Sequence, residues 1–102
     1  MAVDVRKYIP EEIVETLNGS WMGRTDIYGT LRQVLVEPLT PDTIYSVAIR
    51  DEGNYLIFIR EGVRGPLVAD TARTVLFPGE KTIYIDGATR DEMFKLKLVY
   101  QM

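Results

Sequence analysis

The chain has 102 residues, 46% hydrophobic and 26% charged, with 12 Lys and Arg against 15 Asp and Glu and with neither Cys nor His. A length of this order suits one soluble domain that buries roughly two-thirds of its unfolded surface, while the two missing residue types remove disulfides, thiolate nucleophiles, Ser-His-Asp and Cys-His catalysis and the commonest zinc and iron ligand sets. A net charge of −3, spread as five acidic and three basic residues up to Asp26 and ten acidic and nine basic beyond it, offers no basic stripe for nucleic acid and no charged tail.

The N-terminus lacks a positively charged segment followed by a 7–15-residue apolar core, and no run approaches the roughly 20 apolar residues of a membrane span. The expectation is a cytoplasmic chain starting at Met1, free or incorporated into an assembled particle, with no membrane partner. The first element predicted is a helix of about two turns over Pro10–Gly19. Pro10 suits a first helical turn, Glu11 and Glu12 suit the positive end of the helix dipole, and Asn18-Gly19 supplies a left-handed stop. Ile13, Val14 and Leu17 would give it a narrow apolar stripe, and so short a helix must dock on something. Residues 1–25 are accordingly expected as a helical arm lying on a β domain over 26–102.

Between arm and sheet comes Trp21, with Met22 and Arg24 close by. A Trp in such a place staples the arm onto the sheet, or anchors a protein contact, since Trp, Tyr, Met and Arg are enriched in interface hot spots.

From Asp26 the hydrophobic period becomes two. Ile27–Val36, Thr43–Arg50, Tyr55–Arg60, Val75–Phe77, Thr82–Ile85 and Met93–Tyr100 are β-branched and aromatic-rich runs bounded by turn residues. Six or seven short strands so spaced predict an antiparallel β-sandwich, jelly-roll or Ig-like, or a small barrel. The loop Asp51-Glu52-Gly53 predicts a hairpin over Thr43–Arg60, closed by Gly53 in the left-handed region. Pro78-Gly79 suits a type II turn, and hence a second hairpin over Val75–Ile85. Gly62-Val63-Arg64-Gly65 reads as a flexible connection, and Leu67–Arg73 as either a strand or an irregular crossing.

Two strands carry further information. Phe94, Leu96, Leu98 and Tyr100 alternate with Lys95, Lys97 and Val99, the mark of a half-buried strand. In Tyr55–Ile59, strict alternation sets Tyr55, Ile57 and Ile59 on one face and Leu56 and Phe58 on the other. Both faces are apolar, and a sandwich covers only one. The second cover is either the N-terminal arm or another copy of the chain.

Candidate chemistry is thin. Asp86, Asp91 and Glu92 flank Gly87 in a polar loop that does not match a calcium-loop pattern and has Arg90 within it, so a turn with local pairing is the expected role. Asp51, Glu52 and Glu61 adjoin an exposed hairpin rather than a cleft. Eight Arg against four Lys lean toward fixed, bidentate contacts, and Arg50, Arg60, Arg64, Arg73 and Arg90 fall at strand ends and loops.

The sequence therefore predicts a non-enzymatic structural or assembly module that self-associates or joins a larger complex, in the architectural style of small virion-associated, phage-like subunits. Trp21, Met22, Arg24, Leu56 and Phe58 are the expected interface residues, and no catalytic residue, cofactor, metal or nucleic acid is expected. The alternative is a small ligand-binding protein or enzyme using carboxylates or Arg and Tyr.

Overall fold

The computed structural model describes residues 6–8 and 12–101. Nine strands occur among them: β1 (Arg6–Tyr8), β2 (Glu12–Glu15), β3 (Trp21–Thr25), β4 (Gly29–Pro38), β5 (Ile44–Arg50), β6 (Leu56–Arg64), β7 (Leu67–Leu76), β8 (Lys81–Asp86) and β9 (Met93–Gln101). They form two antiparallel sheets. One runs β1-β9-β4-β7 with β2 also on β9, and the other runs β3-β8-β5-β6. From β2 onward, the orders 2-9-4-7 and 3-8-5-6 are the wiring of a jelly roll, in which the chain changes sheet at every connection except the β5–β6 hairpin.

The expected N-terminal helix is absent from the described residues. Pro10 and Glu11, its expected first turn, lie outside them, and Glu12–Glu15 pairs in register with Leu96–Met93 of β9. Val14 is buried while its neighbours Ile13 and Glu15 are exposed, so the period is two where a helical stripe was read. Asn18 (φ 54°) and Gly19 (φ 80°) are both left-handed, and Leu17 and Ser20 exchange backbone hydrogen bonds of 2.8 and 3.1 Å. Two successive positive φ values define a type I′ turn, for which Asn-Gly is the preferred pair. The helix stop is thus a chain reversal that hands β2 to one sheet and β3 to the other, and the described part of the arm belongs to both sheets.

The Thr43–Arg60 hairpin forms as β5–β6, with a correction at its tip. The Asn54 N–H donates to the Asp51 carbonyl at 2.9 Å, and Asn54 (φ 64°), not Gly53, takes the left-handed position. The second expected hairpin does not form, because β7 and β8 lie in different sheets. Phe77–Glu80 crosses between them, held by buried Lys81, whose Nζ donates to the carbonyls of Phe77 and Gly79. Segment 62–65, read as a flexible connection, supplies the end of β6 and a tight corner. Leu67–Leu76 is a full strand.

The core lies between the sheets. Val14, Leu31, Val34, Val36, Phe94, Leu96 and Leu98 from one side meet Tyr45, Val47, Ile49, Phe58, Ile83 and Ile85 from the other. The Tyr45 and Phe94 rings meet edge to face at 5.1 Å, one from each sheet. Tyr45 donates its hydroxyl hydrogen to the Gly65 carbonyl at 2.6 Å, and burial pushes the phenol up to about 12, so it stays a neutral donor.

Candidate interaction surface

The register of the second sheet determines what its outer face presents. Met22 pairs with Tyr84, Tyr84 with Ala48 and Ala48 with Ile59, so one apolar row crosses all four strands. On one side of it Arg24 and Arg50 both pair with Thr82, and Arg50 with Leu56, which makes a basic row. On the other side Asp86 pairs with Ser46, and Glu61 borders the same depression, which makes an acidic row. Small Ala48 beside the larger Tyr84 and Ile59 leaves a shallow, open depression of about 510 Å³ along the row.

A bulge brings Leu56 onto this face. The pairing slips between Ile49 and Arg50, so Phe58 sits opposite Ile49 while Leu56 sits opposite Arg50. One extra residue in a strand moves the side chains beyond it to the other face. Leu56 therefore joins Ile59 outside, not Phe58 as strict alternation predicts. Phe58 is buried in the core with the Arg60 guanidinium 4.8 Å over its ring, and Ile57 packs half-buried against the core. The two apolar faces of this strand thus divide cleanly, with Phe58 inside and Leu56 and Ile59 outside.

The other expected interface residues separate in the same way. Trp21 lies on the inner side of β3, half-buried against the core; a Cβ added at Gly23 would fall 2.4 Å from its ring. It closes the edge of the sandwich, where a staple for a helix was expected. Met22 and Arg24 face out, and Arg24 holds a loose, exposed ion pair with Glu80 at 3.7 Å, an arrangement that adds little stability. Thus Met22, Arg24 and Leu56 share the outer face, and Trp21 and Phe58 do not. Tyr84, Ala48 and Ile59, which complete the row, were not among the expected interface residues.

The carboxylates of the Asp86–Glu92 loop act on the chain itself. Asp91 accepts from the backbone N–H groups of Asn18 and Gly19 at 2.9 and 2.7 Å, and Asp86 accepts from the Ser20 hydroxyl at 3.0 Å. Glu92 accepts from the hydroxyls of Thr43 and Thr40, the latter at 2.7 Å. Desolvation would raise the Glu92 carboxyl, but the Thr43 and Thr40 hydroxyls, the Thr40 backbone and the Arg90 charge outweigh it and hold the group below its ordinary value. A carboxylate so depressed adds stability above its unfolded pKa and loses it as pH falls through the folded one. Glu92→Gln is expected to cost roughly 1 kcal/mol near neutrality, and the gap to the parent should close in acid melts below the ordinary carboxylate range. A gap that stays constant with pH would contradict the charged clasp.

Asp51 is likewise occupied, its Oδ1 accepting from the Tyr55 N–H at 2.9 Å. Among the described residues no group of three or more His, Cys, Asp or Glu is placed to hold a metal ion, and no helix is long and apolar enough to cross a membrane. Of the arginines at strand ends, Arg50 borders the depression and Arg60 covers Phe58, while the Arg73 side chain lies outside the described part.

A second apolar area lies on the first sheet. Ile13, Leu39 and Met93, each more than half exposed, surround a groove of about 200 Å³ with Phe94 at its base. No family model matches the chain, and no curated protein or solved structure matches it.

Proposed function

We propose that this chain is a non-catalytic assembly subunit, a jelly roll that acts by packing against protein, first of all copies of itself, as a small virion-associated, phage-like component would. The observation that carries the reading is the Met22–Tyr84–Ala48–Ile59 row, which is contiguous across four strands. Single exposed hydrophobic residues are ordinary, but a continuous exposed patch marks a contact surface. The separate Ile13–Leu39–Met93 area on the opposite sheet gives a second contact, as a subunit between two neighbours requires. The jelly roll itself is compatible with capsid-type assembly but also occurs in lectins and cupins, so it supports the reading only as an architecture.

Sedimentation velocity across the micromolar range tests it: the weight-average mass is expected to rise with concentration to dimer or beyond. A strict monomer throughout would overturn it. The depression beside Tyr84 and Arg50 favours a second reading, a small Arg/Tyr-based ligand-binding protein, whose mark would be that strict monomer together with a melting shift on a carbohydrate or organic-acid panel.

A further inference from the structure

We propose that the outer face of the β3-β8-β5-β6 sheet is a self-complementary dimer interface whose two-fold axis runs along the Met22–Tyr84–Ala48–Ile59 row; the inference rests on the assembly reading and specifies its geometry. The argument is one of charge and symmetry. Two copies placed face to face about an axis along the row set each row residue opposite itself and exchange the flanking rows. Arg50 of one protomer then lies over the partner's Ser46, between the partner's Asp86 and the partner's Glu61, because β8 and β6 flank β5. The same contact recurs on the far side of the axis. An axis along the strands would instead set Arg24 and Arg50 against the partner's basic row, and like charges so placed repel.

The fit extends to size. The apolar row meets its own image, Tyr84 against the partner's Tyr84 and Ala48 against the partner's Ala48. Four strands about 4.8 Å apart, crossed by five residues of about 3.4 Å, give a face of roughly 19 by 17 Å. Such a footprint, roughly 320 Å² in projection, is less than half of the about 800 Å² per partner that stable complexes bury, so the dimer is a weak, transient one. Arg50 spends one donor on the Asn54 carbonyl, 3.1 Å from its Nη1, and its planar fork has further donors for carboxylates.

Charge reversal and cross-linking test the arrangement. Arg50→Glu and Glu61→Arg, each checked for an unchanged melt, are expected to weaken self-association at least about tenfold. Mixing them should restore a heterodimer, since Glu at position 50 then faces Arg at position 61 on one side of the axis and the parent pairing is kept on the other. Because the chain has no Cys, single Met22→Cys and Ile59→Cys variants can be treated with a short bismaleimide. Each should cross-link to itself, and Val68→Cys, exposed on the other sheet, should not. A cross-link found only in a mixture of Met22→Cys with Ile59→Cys would overturn the axis. A dimer that survives both charge reversals and gives no row cross-links would overturn this face while leaving the assembly reading intact. A monomer at every concentration would overturn both.

Discussion

Phe94→Ala is expected to destabilise the protein by about 3–5 kcal/mol, the usual cost of deleting a buried phenyl ring. The ring is fully buried on β9 and makes the edge-to-face contact with Tyr45 that joins the two sheets. Against a total stability of roughly 5–15 kcal/mol for a domain, the loss is large. Urea unfolding followed by the fluorescence of Trp21, the single Trp, should show a lower midpoint with an unchanged slope. In heat, the midpoint should drop by more than about 10 °C. Met93→Ala, next in the chain but half exposed on the outer face, should move the midpoint little. A Phe94→Ala cost below about 1 kcal/mol would remove the ring from the sheet junction.

Gly65→Ala is expected to cost about 2–4 kcal/mol, from a left-handed penalty of about 1–2 kcal/mol and a steric clash. Gly65 has φ 72°, and an added Cβ would fall 2.7 Å from the Pro41 carbonyl oxygen, a backbone atom that cannot swing aside. Its own carbonyl is also the acceptor for Tyr45. Gly62→Ala is the natural control, since φ is 60° there with nothing within 4 Å, and only the conformational part should appear. Tyr45→Phe leaves the buried Gly65 carbonyl without that donor and should cost about 1–3 kcal/mol. The two changes act on one bond, so the double variant should lose less than the sum of the singles. Strict additivity would show that the corner and the phenol are independent.

Much of the sandwich was legible because strands announce themselves through local alternation. Phe94, Leu96 and Leu98 are buried as the period-two reading requires, and the Asp51–Asn54 segment turns where its residues predict. The misreadings have one physical source, that local signals do not name their partners. Asn18-Gly19 favours positive φ whether it ends a helix or reverses a strand, and only the pairing of Glu12–Glu15 with β9 decides. Pro78-Gly79 turns the chain, but whether the next strand pairs back or crosses to the other sheet is a long-range matter. The candidate surface was half legible for the same reason. Met22 and Leu56 were legible as contact candidates, Met22 from its place beside Trp21 and Leu56 from a strand apolar on both faces, whereas Tyr84, Ala48 and Ile59 join them in one row only through a register across four strands. The bulge that puts Leu56 beside Ile59 has no mark in the sequence that simple alternation would respect.

The position of β9 has a consequence for synthesis. It pairs with β1, β2 and β4, so the first sheet has no centre until β9 leaves the ribosome. Until then β2 and β4 have Val14, Val34 and Val36 exposed with an open edge on each strand, the kind of surface that recruits chaperones or other nascent chains. The β5–β6 hairpin can close early from local contacts, but the sheet built on β9 must wait. A protein wired in this way cannot complete its first sheet strand by strand as it is made, and a ribosome-stalled chain ending before Met93 should remain sensitive to protease throughout.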